Sequence, residues 1–194
     1  MKEATVFYDS ESLQVGEEAD RASLADIVDD DSSFPKRAAR LVRNKYFFKT
    51  PVNVVLTTHQ PERDFVARLV DKDVAALLDA WVKSTDTGFY DISYSWRRGD
   101  HTKQGRFNPD FFIKLKGGRD VLVVELKEDG DTSDENRAKF KFASEHFARL
   151  NDRQNQVKYH MKFLSPGRYD EFFSAVKTGK AVTFVSALQA SLVS

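Results

Sequence analysis

Two carboxylates and a lysine fall within residues 108–127, NPDFFIKLKGGRDVLVVELK, at spacings that chemistry can use: Asp110, Glu125 and Lys127. The Gly117-Gly118 pair fits a two-residue hairpin turn, because glycine adopts positive φ without steric cost. Each strand residue then faces the one whose number completes 235, which sets Asp110 opposite Glu125. Opposed residues of an antiparallel pair project from one face with β-carbons about 5 Å apart, and like charges so placed repel unless something offsets them. A divalent cation is that offset. Lys127 lies two residues past Glu125, so the two-residue period of a strand returns it to the same face. Metal-assisted phosphodiester hydrolysis is the chemistry such a trio supports, with the metal lowering the pKa of a bound water and the lysine stabilising charge on the phosphate.

The neighbouring residues bear on whether the charges are functional. Phe111, Phe112 and Ile113 follow Asp110, while Val121, Leu122, Val123, Val124 and Leu126 surround Glu125, as in strands buried on both faces. A solvated hairpin would carry mixed charges at little cost, whereas buried carboxylates cost several kcal/mol unless paired or metal-bound. The apolar setting therefore favours a site over a charged surface hairpin.

Other elements must position this hairpin. A strand is expected over residues 52–56. Pro61 then opens a helix running to about Lys83, with Phe65, Val66, Leu69, Val70, Val74, Leu77, Leu78 and Trp81 at helical spacing. Glu62 stands in its first turn, either as a functional acid beside the core-facing stripe or as a complement to the helix dipole. Tyr90, Ile92, Tyr94 and Trp96 alternate as a half-buried strand over 89–96. A loop over 97–106 then brings Arg97, Arg98, His101, Lys103 and Arg106 ahead of Asp110 as candidate phosphate contacts, or as an ordinary polar loop. Thr132 and Glu135 fit a capping box at the start of a helix to about Leu150. Phe140, Ala143, Phe147 and Leu150 mark its buried stripe, and Lys139 beside them either turns its ammonium toward the site or snorkels to solvent. A strand over 157–163, a helix from Pro166 to Val176 closed by Gly179, and a strand at the apolar run 181–185 complete the order. A hairpin followed by a crossover helix and a further strand predicts an α/β protein of the α+β kind, with a mixed sheet flanked by helices.

The chain has 194 residues, 41% of them hydrophobic, which suits one cored domain with decorations. We expect an acidic N-terminal extension with accessory elements over 1–50 and the catalytic domain over 51–194. No cysteine is present, and the four histidines (His59, His101, His146, His160) lack a paired spacing for zinc. Oxygen-ligated Mg²⁺ or Mn²⁺ remains. There is no apolar run of about eighteen residues and no basic-then-apolar leader, so a soluble, cytoplasmic protein with no membrane association is expected. The formal net charge is +0, yet residues 1–31 hold ten acidic and two basic side chains, leaving 28 basic and 20 acidic in the rest. A basic body suits a nucleic-acid partner. The acidic segment, with Asp29-Asp30-Asp31, reads as a linker, or as an electrostatic plug over the basic surface.

Pro109-Asp110, fourteen residues, then Glu125-Leu126-Lys127 resembles the defining motif of the PD-(D/E)XK nuclease superfamily, whose core runs helix, three strands, helix, strand. Within it, NPDFFIK, VVELK, a capped helix carrying Lys139, and the FLSP segment at 163–166 look most like the C-terminal endonuclease domain of type III restriction enzymes and related helicase-nucleases. The resemblance spans about residues 52–186. It implies that Asp110 and Glu125 hold Mg²⁺ with the Leu126 carbonyl and Glu62 as further ligands, that Lys127 positions the attacking water, and that Lys139 binds phosphate. Some relatives use a glutamine four residues before a tyrosine; here Asn155 with Tyr159, or Gln156 three before it, departs from that pattern. No G-x-x-x-x-G-K-[ST] occurs, so an ATP-driven motor is expected elsewhere in a longer polypeptide or in a partner subunit. The expected activity is a Mg²⁺-dependent DNA endonuclease in host defence against phage, with a homodimer if both strands are cut together. The alternative from another class is a degenerate nuclease-like fold used as a nucleic-acid-binding or assembly module, against which the intact trio argues.

Overall fold

The computed structural model of the chain describes residues 5–8, 11–14, 38–41, 49–50, 54–57, 59–84 and 90–193. The acidic run at Asp29-Asp30-Asp31, with its expected roles as linker or plug, lies outside them. The chain divides into two compact units, Met1–Ala76 and Leu77–Ser194, later in sequence than the 50/51 division expected.

In the first unit, β1 (Thr5–Tyr8) pairs antiparallel with β2 (Glu11–Gln14), and β3 (Ala38–Leu41) pairs antiparallel with β4 (Val54–Thr57). Helix α1 (Gln60–Leu69) lies against β3 and β4, and has Pro61 in its first turn and Phe65, Val66 and Leu69 buried. A short α2 (Lys72–Ala75) follows.

The second unit is built on a four-stranded mixed sheet in the order β10, β9, β8, β5. Strands β5 (Leu78–Lys83), β8 (Phe111–Leu115) and β9 (Asp120–Leu126) run antiparallel to one another in turn, and β10 (Lys158–Leu164) runs parallel to β9. A parallel neighbour requires a crossover, and α3 (Asp134–Arg153) supplies it. Strands β6 (Ile92–Arg98) and β7 (His101–Phe107) form a separate antiparallel ribbon between β5 and β8. Helix α3 packs on β6 and β10, joining Ile92, Tyr94, Phe107, Val121, Val123 and Phe147 in one core. A 3-10 turn (Pro166–Arg168), α4 (Tyr169–Lys177) and α5 (Ala187–Val193) finish the unit, with Leu188 and Leu192 of α5 in the same core. The fold is α+β with a mixed sheet, as the element order predicted. Among the described residues no helix is long and apolar enough to cross a membrane.

Several local expectations are corrected. The helix expected from Pro61 to Lys83 ends at Leu69. Asp71 restarts the chain as α2 by accepting the Asp73 N–H at 3.0 Å, and Leu78 and Trp81 belong to strand β5. The register against β8 shifts between Leu78 and Ala80, so Leu78 and Trp81 are both buried while Asp79 and Ala80 are exposed. This irregularity gives a strand the three-residue burial spacing of a helix. The loop expected over 97–106 is instead the end of β6 and all but the last residue of β7, turning at Gly99 with φ 63°. Gly105 interrupts the apolar alternation that would have marked β7 as a strand. Ser133 rather than Thr132 caps α3, its hydroxyl accepting the Asn136 N–H at 3.3 Å. The run 181–185 is a turn over 181–183 followed by irregular chain, not a strand, and the ammonium of Lys162 donates to its carbonyls at Val182 (2.7 Å) and Phe184 (2.6 Å).

Candidate metal and phosphate site

The β8–β9 hairpin keeps the predicted register: Phe111 faces Val124, Phe112 faces Val123, Ile113 faces Leu122 and Lys114 faces Val121. The connection is four residues, 116–119, rather than two, with Gly117 at φ 69°. It is centred on the same glycine pair, so the longer turn leaves every pairing unchanged.

One step beyond the ladder, Asp110 stands at the entrance to β8 and Glu125 near the end of β9. Asp110 Oδ2 accepts the Leu126 N–H at 2.7 Å, and its own carbonyl accepts the Ser84 N–H at 2.8 Å, fixing it between β9 and the end of β5. Alternation along β9 puts Glu125 on the face of Val121 and Val123, the side covered by α3. Glu125 is only 4% exposed. Its Oε1 is bonded by the Lys127 ammonium, whereas Oε2 is buried with no hydrogen-bond partner.

The electrostatics follow from this packing. Burial pushes the Glu125 carboxyl up, and the Asp110 charge adds to it, reaching about 8 despite the opposing pull of Lys127 and Lys139. Burial works against the Lys127 ammonium, but Glu125, Asp110 and Asp131 together outweigh it and hold its pKa above the ordinary lysine value. The two carboxylates and two lysines thus share one poorly solvated pocket, in which burial is the larger cause of the Glu125 shift. An orphaned buried carboxylate oxygen beside a second carboxylate fits a hard divalent cation. Among the described residues there is no group of three or more His, Cys, Asp or Glu that would complete a metal shell. Backbone carbonyl, water and phosphate oxygens would make up the remainder.

The first turns of α3 bring up Lys139, which the resemblance assigns to phosphate, and Glu135, which the sequence did not assign to the site. Lys139 turns inward: its ammonium is 2.9 Å from Glu135 Oε1 and 5.5 Å from the Tyr94 ring centroid. The Tyr94 hydroxyl donates to the same Glu135 oxygen at 2.7 Å, and its ring stacks on Trp96 at 5.2 Å. Hydrogen bonds from Lys139 and Tyr94 hold the Glu135 carboxyl below the usual range. The sequence pattern predicts Glu135 as a capping residue. With Ser133 as the cap, its side chain is available to bridge ribbon and helix.

The structure therefore brings Asp110, Glu125, Leu126, Lys127 and Lys139 together. Arg97, Arg98 and Lys103 lie on the exposed outer part of the ribbon, and Arg106 near its base, 3.5 Å from Asp91. Glu62 is buried in the first turn of α1, in the first unit. Set against protein-family models, curated proteins and solved structures, the chain matches none.

Proposed function

We propose that the second unit is a Mg²⁺- or Mn²⁺-dependent phosphodiesterase acting on DNA. The observation that carries this reading is Glu125: a buried carboxylate with an unpartnered oxygen, beside Asp110, and with a lysine on its other oxygen. A structural ion pair needs neither a second carboxylate nor an orphaned oxygen, and a buried carboxylate with an unpartnered oxygen is unfavourable without a cation. The sheet order, crossover helix and Asp-(x14)-Glu-x-Lys spacing support the same reading through the resemblance to PD-(D/E)XK nucleases.

In this reading Asp110, Glu125 and the Leu126 carbonyl hold the metal. The metal supplies a water of lowered pKa and charge stabilisation at the phosphate. Lys127 orients that water and stabilises developing negative charge, while Lys139 binds a phosphate oxygen after leaving Glu135. Tethering to an ATP-driven motor, in the same polypeptide or in a partner subunit, would deliver DNA to the site in a phage-defence setting, and a homodimer would place two sites for double-strand cleavage.

The test is plasmid cleavage with Mg²⁺, Mn²⁺ or EDTA, repeated with Asp110→Ala and Lys127→Ala. Metal-dependent nicking abolished by either substitution supports the reading. Metal-independent or mutation-insensitive cleavage would overturn it, and duplex binding with no cleavage under any condition would favour a catalytically silent binding module.

A further inference from the structure

The β6–β7 ribbon has two faces of different chemistry. Ile92, Tyr94 and Phe107 point into the core beneath α3. The opposite face consists of three cross-strand pairs, Ser93 with Arg106, Ser95 with Gln104, and Arg97 with Thr102. Every one of these six side chains can hydrogen-bond, and all except half-buried Ser95 are exposed. Beyond the core, Arg98 and Lys103 flank the tip, also exposed. Among the described residues the two strands pair only with each other, so the ribbon stands as an isolated two-stranded element.

A major groove about 12 Å wide admits such a ribbon, whose strands are about 4.8 Å apart. Arginine, glutamine, serine and threonine are the side chains that read base edges, and flanking lysine and arginine suit phosphates. The base of the ribbon is anchored: Tyr94 bonds Glu135, which also holds Lys139 beside Glu125. At this same base β7 leads through Asn108 and Pro109 directly into Asp110.

We infer that the β6–β7 ribbon is a duplex-reading arm that enters a groove of double-stranded DNA with its Ser93, Ser95, Arg97, Thr102, Gln104 and Arg106 face toward the bases, while Arg98 and Lys103 contact the flanking backbone. The assignment rests on the phosphodiesterase reading for its choice of nucleic acid as partner. Seven residues of β7 reach about 20 Å at about 3.3 Å per step, which is roughly six base pairs at about 3.4 Å each. Laid along a groove, the reading face therefore spans about half a helical turn of duplex, beginning at the end next to Asp110.

The experiment is fluorescence anisotropy in EDTA, so that no cleavage intervenes, with a mixed-sequence 30-base-pair DNA duplex and its isolated single strand as probes. Arg97→Ala/Arg98→Ala/Lys103→Ala should weaken duplex binding by about 30-fold or more and reduce the salt slope by about two to three. Lys177→Ala/Lys180→Ala, exposed cations remote in sequence, should change it less than about threefold. Thr102→Ala/Gln104→Ala should leave the salt slope unchanged and alter which sequences are enriched from a randomised duplex pool. Unchanged melting curves confirm that these exposed substitutions keep the fold. Unchanged duplex affinity in the triple variant would overturn the proposal. Equal affinity for single strand and duplex, lost equally, would overturn the groove assignment. Plasmid cleavage by the parent separates this from the catalytic reading: ribbon-dependent duplex binding in a parent chain that shows no metal-dependent cleavage keeps the arm and removes the nuclease.

Discussion

Asp110 is fastened to the strand that carries its partner carboxylate, because its Oδ2 accepts the backbone N–H of Leu126, the residue after Glu125, at 2.7 Å. The bond uses one lone pair of Asp110 to set the carboxylate beside Glu125. It also closes the ladder one step past Phe111 and Val124, where ordinary strand pairing has ended.

Asp110→Asn and Asp110→Ala should therefore part company. Asparagine keeps an oxygen acceptor for the Leu126 N–H and removes only the charge, so we expect cleavage to fall by about 100-fold or more while the melting temperature stays close to that of the parent. Alanine leaves that N–H without its acceptor and should lose about 1–3 kcal/mol of stability as well. Urea unfolding beside plasmid nicking distinguishes the two, and equal stability of both variants would show that the hydrogen bond is dispensable.

Glu125 makes stability depend on pH in an unusual direction. Its folded pKa, about 8, lies above the ordinary 4.5, so between these values the folded state binds more protons than the unfolded one. Stability must then fall as pH rises from about 4.5 to about 8 in metal-free protein. Lys127, with its pKa raised, contributes only above the ordinary lysine range and leaves this window to Glu125. Glu125→Gln should flatten the dependence in EDTA. Added Mg²⁺ or Mn²⁺ should reverse it for the parent, by about 2.7 kcal/mol at about 100 times Kd, with no effect on the variant. Denaturation at about pH 5, 6.5 and 8 with and without metal checks this, and a parent stability independent of both pH and metal would remove the site.

What the sequence disclosed and withheld follows from the range of the interactions. The hairpin register was legible because a glycine pair fixes the centre of symmetry, and lengthening the turn about that centre moves no pair. Strand β5 was hidden because its irregular register buries Leu78 and Trp81 at helix-like spacing. Strand β7 was hidden because its exposed residues are polar on both faces, and Gly105 stands where an apolar side chain would have signalled alternation. The Tyr94–Glu135 contact joins residues 41 apart, a pairing that no local pattern encodes.

Gly105 is the position where that contact is most easily disturbed. A β-carbon there would meet the Tyr94 ring at 2.7 Å, and the ring is held by stacking on Trp96 and by its bond to Glu135. Gly105→Ala should force Tyr94 aside at about 1–3 kcal/mol and release Glu135 from the ribbon. Lys139 would keep its ion pair but lose the ring beneath it. We expect lower stability and weaker cleavage together. Adding Tyr94→Phe should cost less in the Gly105→Ala background than in the parent, because the hydroxyl bond is already broken; a double-mutant cycle measures the difference.

Lys162 gives the last prediction. It is 3% exposed, and its ammonium donates to the Val182 and Phe184 carbonyls, tying β10 to the turn before α5. Burial lowers its pKa to about 8 from 10.5. Between those values the unfolded chain binds the extra proton, so stability rises with pH across that range. Lys162→Met keeps the apolar stem but leaves two carbonyls without their donor, which should cost about 1–3 kcal/mol at neutral pH. The variant should also lose the rise. Unfolding curves at about pH 7.5 and 9.5 read both effects, and a Met variant as stable as the parent at neutral pH would mean that desolvation of the ammonium cancels what its two hydrogen bonds contribute.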